Sequence, residues 1–424
     1  MPEKRKQMKK HFSKPEFAWI MYDWANSAYS ILVAAVLPLY AAKMAEIGGV
    51  TSVQHTANWG YASSITGLII AVLAPVLGAV ADYHLRRMRL FIAFFAVGVL
   101  ATGLIPFNNS YMMLLVLYGI TNFGFAGANL FYDAFLVDVT SNERMDKVST
   151  WGFGLGYIGG STIPFLASIA LIMFGSDFGV DETMAMRISC FITALWWAVF
   201  TIPFFLNVRQ HTSITPERGM LKKSLLRVFE TLKAAKKHKY LFIFLIAYFF
   251  YIDGVGTIIK MASTYADALG LGATDIILGL LLTQVIAFPC SILYGHLSER
   301  YGTKRMLYAG IATYLGVCVV GYLMAHAWQF YLLASLVGTA QGGIQALSRS
   351  YFGKLIPDKR RAGEFFGLYN IFGKFESVLG TALMGIVVSA TGRINDGVMP
   401  ILAVFIIGGL LLLFVPDDKS MQNK

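Results

Sequence analysis

Three charged residues lie deep inside apolar runs, where a carboxylate or an ammonium costs several kcal/mol unless it is paired, hydrated or neutralised. Asp23 is seven residues beyond Glu16, roughly 10 Å into its run at the helical rise. Asp253 is fourteen residues beyond Lys239, roughly 21 Å along, and Lys374 is eleven beyond Gly363, about 16 Å. A buried acid can take up a proton or hold a substrate ammonium, and a buried lysine can hold a carboxylate. Asp23 can instead be a structural carboxylate bonded to Asn26 or Ser27, and Lys374 can pair with Asp253. Lys374 and Glu376 point to different sides of a helix and need separate partners. Tyr22, Trp24, Tyr29, Phe249, Phe250 and Tyr251 flank the two acids. Such rings can line an apolar and cationic pocket, although packing against lipid is the commoner fate of any one of them. The combination suits a zwitterion such as an amino acid, and it also suits a cationic drug.

A second constellation is written twice. Gly78 and Asp82 are followed by Arg86 and Arg87; Gly295 and Glu299 are followed by Arg300, Lys304 and Arg305. The glycines are 295 − 78 = 217 residues apart, about half of the 424-residue chain, so duplication is the simplest explanation. Small residues let helices approach closely, while an acid and clustered cations can form a breakable latch. Asp133 aligns with Arg349 across nearly the same offset, with the charge reversed (349 − 133 = 216). Arg349, between Ser348 and Ser350, can bind an anionic substrate or serve the second latch, and the latch is preferred.

The elements that must position these residues are membrane spans. Hydrophobic residues make up 56% of the chain and charged ones 14%, and mean hydropathy is +0.61, outside ordinary soluble usage. Runs long enough to cross hydrocarbon fall at about 17–42, 57–81, 90–107, 111–137, 150–175, 187–207, 240–265, 274–297, 305–325, 328–352, 364–390 and 398–416. Unpaired backbone facing lipid is too costly for anything but helices, and the short alternating segments of a strand-rich barrel do not occur. Lysine and arginine favour the cytoplasmic side. They cluster before the first run (Lys4 to Lys14), after the second (Arg86, Arg87, Arg89), at Lys222 to Lys239 and at Lys354 to Arg361. Both termini are therefore expected in the cytoplasm. The net charge of +11 is topology information and attraction to anionic lipid, and no nucleic-acid partner is expected.

Several features are set aside. The first run is too long for a cleavable signal core. Cys190, Cys290 and Cys318 lie within predicted spans without metal or disulfide spacing, and the seven histidines lack ligand spacing, so no metal or cofactor is expected. Gly154-x-Gly156-x-x-Gly159 lacks the strand context of a dinucleotide fingerprint; its glycines instead permit close helix packing, with Pro164 a candidate kink. The connection 208–239 repeats Leu221, Leu225, Val228, Phe229 and Leu232 at helical spacing opposite lysines. It is expected to lie on the membrane surface, as a plain linker or as a regulatory partner-binding helix. In the stretch Asp253, Gly254, Gly256 the glycines would let the helix loosen and expose backbone to a cavity, the alternative being a structural carboxylate at Asp253.

Two six-span halves with this repeated loop resemble the major facilitator superfamily. The strings Tyr22 to Tyr29, Gly156 to Gly160, Asp253 to Val255, Gly342 to Ser350 and Glu364 to Gly367 are similar to its vacuole-effluxer-like family, which includes a fungal autophagy-linked amino acid exporter and many bacterial members. The resemblance implies an all-α membrane protein of twelve helices in two pseudo-symmetric six-helix bundles, 1–207 and 240–424, joined by 208–239. It also implies that the loops control which side is open, and that an acid ending the fourth span, Asp133 or Asp138, pairs with Arg86 or Arg87. In the first loop Tyr83 and Leu85 stand where the family has a basic residue and a glycine. The function implied is alternating-access transport of a small organic solute, with a coupling proton. Other candidates are an exporter of drugs, lipids or other metabolites, and a receptor that does not transport. No Walker phosphate loop points to ATP, and no convergent catalytic set points to an intramembrane enzyme. The expected partners are the solute, the proton and the bilayer of the cell membrane, with the chain a monomer.

Overall fold

Helices begin where capping residues meet apolar runs in the computed structural model, which describes residues 11–217, 219–233, 237–374 and 378–417 except for the side chains at 161, 267, 268, 273, 274 and 374. Ser13 opens α1 (Lys14–Ile31) with a capping box: its hydroxyl accepts the Glu16 amide at 3.3 Å while the Glu16 carboxylate accepts the Ser13 amide at 2.8 Å. A π turn at Leu32–Val36 leads into α2 (Leu37–Ile47). Thr51 and Gln54 box the start of α3 (Ser52–Ala81). There follow α4 (Arg86–Leu104), α5 (Tyr111–Ala134), the short α6 (Leu136–Val139), α7 (Met145–Leu155), α8 (Ile163–Phe174) and α9 (Glu182–Asn207). The second half of the chain supplies α10 (Met220–Lys233), α11 (Lys239–Ala268), α12 (Ala273–Tyr301), α13 (Thr303–Tyr322), α14 (Ala327–Leu355), α15 (Ala362–Lys374), α16 (Val378–Thr391) and α17 (Val398–Leu412). Among the described residues, the one β-type pairing is a parallel bridge between Tyr83 and Ile214.

Among the described residues, eleven segments are long and apolar enough to span a membrane. The predicted tenth run, 328–352, forms the 29-residue α14 but is less apolar, because Gln341, Gln345, Ser348, Arg349 and Ser350 lie along it.

Two compact units form, unit 1 from Met1–Thr140, Leu155–Ser224 and Arg360–Gly367, and unit 2 from Ser141–Gly154, Leu225–Lys359 and Leu368–Lys424. Relative to a division by chain halves, the start of the fifth span belongs to unit 2 and the start of the eleventh to unit 1. In unit 1 the core is aromatic: Tyr22 lies 4.6 to 5.5 Å from the rings of Tyr132, Phe91 and Phe204, and the Trp19 indole N–H donates to the Tyr132 carbonyl at 3.0 Å. In unit 2 bare glycines admit rings. A side chain at Gly343 would overlap Tyr294, and one at Gly254 would meet the Phe405 ring at 2.7 Å.

That contact keeps a glycine-rich stretch helical. The Asp253-Gly254-Val255-Gly256 stretch does not loosen; α11 runs unbroken through it, because the space that a flexible glycine would use is filled by Phe405. Among the described residues, backbone regularity gives way instead at π turns, Leu32–Val36 and Gly156–Thr162. At the second, side chains on Gly159 and Gly160 would overlap Trp24 and Ser27 of α1, so the glycines of the false dinucleotide motif serve close packing.

Candidate functional site

Each copy of the loop signature ends a helix against the start of another, within its own unit. In unit 1, Asp82 is completely buried. One oxygen accepts the Gly363 amide at 2.7 Å and the Arg87 guanidinium at 3.0 Å, and the other accepts the Glu364 amide at 3.0 Å. A carboxylate here meets the unpaired amides and positive end of α15. Gly78 makes the approach possible, since any side chain there would overlap the Gly363 carbonyl. Arg87, also fully buried, continues to Asp138 at 2.5 Å and to the Ala134 carbonyl at 3.1 Å. Of the residues considered for this pairing, the structure brings together Arg87 and Asp138; Arg86 and Asp133 are half-buried outside it. On the other side, Arg361 forms a bidentate pair with the buried Glu364 at 2.6 and 3.1 Å.

The turn between α3 and α4 forms despite its missing glycine. Leu85 adopts a left-handed backbone, φ 61°, while its repeat partner Gly302 has φ 99° (302 − 85 = 217). Both positions keep a positive φ, but ψ is 2° at Leu85 and 147° at Gly302, so the repeat preserves the sign of φ and not the turn itself, and at Leu85 it falls on a residue that resists it.

In unit 2 the repeat keeps the glycine and moves the acid. Gly295 is needed because a side chain would overlap the Thr150 hydroxyl. Glu299 and Arg300, predicted for the latch, are on the exposed face, and Arg300 lies over the Tyr301 ring at 5.2 Å. The buried carboxylate is Asp146, at the start of α7, 3% exposed. It accepts from Thr303 at 2.6 Å, Ser350 at 2.6 Å and the Lys354 ammonium at 2.7 Å. Asp146 is 217 residues before Gly363 (363 − 146 = 217): the acid sits on the incoming helix start instead of on the loop. Arg349 is buried beside it, donating to the Ser149 hydroxyl at 3.0 Å and carbonyl at 3.2 Å, with its guanidinium 4.5 Å from the Phe153 ring. Asp146, Thr303 and Lys354 escape sequence reading because an acid and a lysine near loops look solvated.

The deep charges separate into two surroundings. Asp23 is 8% exposed on α1 in unit 1. One turn on, Asn26 donates to Asn129 Oδ1 of α5 at 2.8 Å. Trp24 stacks on Trp196 at 5.7 Å, and its carbonyl accepts the Trp196 indole N–H at 3.2 Å. Tyr22 and Tyr29, expected near a pocket, are core residues with 0% and 1% exposure. Asp253 in unit 2 is fully buried, and its two oxygens accept the Leu379 and Gly380 amides at 2.9 and 2.7 Å. It therefore caps the start of α16. Gly380 is obligatory there, because a side chain would overlap the Thr257 hydroxyl and crowd Asp253. Tyr251 donates to or accepts from Ser348 at 2.7 Å, Phe249 and Phe250 are half-buried and Lys260 is exposed. The Lys374 side chain and Glu376 lie outside the described residues. Among the described residues no group of three or more histidine, cysteine or acidic side chains could hold a metal ion.

The long apolar helices define a multi-pass membrane protein, and its relatives make it a transporter of the major facilitator class. The fold is shared with the human organic anion transporter MFSD10 (TETRAN), with TM-score 0.70 and 12% identity over 94% of this chain and 99% of that one. It is shared also with FucP in its outward conformation, with TM-score 0.68 and 13% identity over 95% and 98%. The chain belongs to the vacuole effluxer Atg22-like family, whose profile matches residues 13–145 and 137–424. It is 48% identical to an uncharacterized MFS-type transporter, YxiO, of Bacillus subtilis (strain 168), over 97% of both chains. It is 25% identical to autophagy-related protein 22 of Coccidioides immitis (strain RS), over 87% of this chain and 74% of that one.

Proposed function

We propose that this secondary transporter moves a small zwitterion of amino-acid type across the cell membrane by alternating access, coupled to protons, with Asp23 as the solute or proton site. The observation that carries the reading is a carboxylate buried in α1 beside the Asn26 and Asn129 pair. Such an intramembrane acid is retained where it is used, and the amides add neutral hydrogen-bonding groups. Asp253 has a different assignment: with both oxygens on α16 amides it holds a helix and leaves the solute to other groups. The Asp82 and Asp146 clusters are the latches that bias which side is open. The distribution of lysine and arginine supports a cytoplasmic side for these latches and both termini, and the proposed working unit is a monomer in the bilayer.

The test is transport by purified protein in liposomes loaded with a mixture of amino acids and common metabolites under an imposed pH gradient, with mass spectrometry identifying what crosses. Selective, gradient-dependent amino acid movement is expected, lost in Asp23→Asn and retained in kind, at lower rate, by Asp253→Asn. Movement of cationic drugs alone would reassign the substrate, and no movement by folded protein would overturn the transport reading.

A further inference from the structure

The segment that joins the two halves of the chain is built into the first latch. Asp138 divides its carboxylate: Oδ2 takes Arg87 at 2.5 Å, while Oδ1 accepts the His211 amide at 3.0 Å and both the amide and the hydroxyl of Thr212 at 2.7 Å. Gln210 reaches the other side of the same loop. Its amide nitrogen donates to the carbonyls of Ala81 at 3.1 Å and Tyr83 at 3.3 Å, and its oxygen accepts the Arg87 amide at 3.2 Å. Ile214 completes the attachment, donating to the Asp82 carbonyl at 2.7 Å and accepting from the His84 amide at 3.1 Å. Residues 210–214 therefore touch the Asp82 loop and both sides of the Arg87 and Asp138 pair. A passive linker has no need of such bonds.

Six residues beyond Ile214 in the chain, α10 begins at Met220, and it has three faces. Ser224, Val228 and Thr231 are buried at helical spacing. Leu221, Leu225, Phe229 and Leu232 form an adjacent stripe, exposed by 63%, 40%, 60% and 44%. Lys222, Lys223 and Lys233 are exposed on the remaining side. A hydrogen bond from Lys223 to Glu217, with their Coulomb attraction, raises the pKa of the Lys223 ammonium and keeps it charged. From Arg218 to Lys239 the sequence has eight lysines and arginines against the single acid Glu230 (8 − 1 = +7). An apolar stripe beside a cationic side is the pattern that lies in the plane of an anionic bilayer surface. The bilayer is also at hand, because α10 lies in the chain between the ends of two membrane-spanning segments, Glu182–Asn207 and Lys239–Ala266.

We propose that α10 docks on anionic lipid and that the 210–214 strap transmits this docking to the Arg87 and Asp138 pair, so that membrane surface charge sets how firmly the first latch is held. This goes beyond the transport reading and is measurable without any solute.

Hydrogen exchange followed by mass spectrometry would compare the full-length protein in nanodiscs of phosphatidylcholine alone with nanodiscs that also contain phosphatidylglycerol. The anionic lipid should slow exchange in α10 and, by about tenfold, in the 210–214 amides. Lys222→Gln, Lys223→Gln and Lys233→Gln combined should remove both effects. Thr212→Val with Gln210→Ala should keep the protection of α10 and lose its transmission to the peptide containing Arg87. Equal exchange of 210–214 in both lipids, or lipid-dependent protection that survives the triple substitution, would overturn the proposal. If the triple variant folds poorly, raised salt on the unaltered protein should mimic it by screening, and protection that ignores salt would refute the lipid reading.

Discussion

Asp82→Asn should free the start of α15 while leaving the rest of unit 1 folded. The native carboxylate accepts two backbone amides at 2.7 and 3.0 Å and a guanidinium at 3.0 Å, with no solvent exposure. Removing one member of a buried ion pair costs about 3 to 5 kcal/mol, and each hydrogen bond to a charged group contributes about 1.5 to 3 kcal/mol. Two features reduce the sum: Arg87 keeps Asp138 at 2.5 Å, and asparagine keeps one acceptor oxygen. A loss of about 3 kcal/mol remains, on the order of a hundredfold in a local opening equilibrium. Hydrogen exchange of a peptide spanning residues 362–367, in protein reconstituted in nanodiscs, reads it directly. That peptide should exchange about a hundred times faster, while peptides from α5 and α9 keep their native rates. A change below about threefold, or acceleration spread evenly over the unit, would refute the claim that Asp82 holds this helix start.

The displaced acid of the second repeat gives a paired test: Asp146→Asn should lower the thermal midpoint and accelerate exchange in 145–154 by a loss of about 3 kcal/mol, whereas Glu299→Gln should change stability by less than about 0.5 kcal/mol. Leu85→Gly should stabilise the protein by about 0.5 to 1 kcal/mol, the relief of a left-handed backbone less the extra chain entropy of glycine, read as a raised midpoint in detergent. Gly380→Ala should destabilise by about 1 to 3 kcal/mol through overlap with Thr257 and Asp253, and Asp253→Asn by about 1.5 to 3 kcal/mol; both should speed exchange in a peptide covering 378–384.

What could be read from the chain divides by the kind of force involved. Span positions follow from hydropathy, a local property, and the helices fall within a few residues of the apolar runs. Gly78, Asp82 and Arg87 were visible because they are close in sequence and repeated, and Asp138 through its place at the end of the fourth span. Glu299 misled because repetition preserves sequence position better than chemical role: the buried acid of unit 2 is Asp146, and only packing shows that Thr303, Ser350 and Lys354 converge on it. The strap at 210–214 was hidden because half of its bonds use backbone amides, which every residue type carries. The depth of Asp253 is legible in the chain, but its glycine neighbours suggest a loose helix, since nothing local reveals that Phe405 occupies the space beside Gly254. Trp24 and the Gly156 to Gly160 string were each conspicuous, and the reason they belong together, a ring seated against bare backbone, is purely tertiary.

The most direct test of the central claim is counterflow in proteoliposomes. If the protein alternates access to an amino-acid-type solute, uptake of a labelled amino acid mixture should saturate and should accelerate when the liposomes are preloaded with the unlabelled mixture, and Asp23→Asn should weaken that response. Uptake by folded protein that matches empty liposomes, or that rises linearly without any acceleration from the internal pool, would contradict the account.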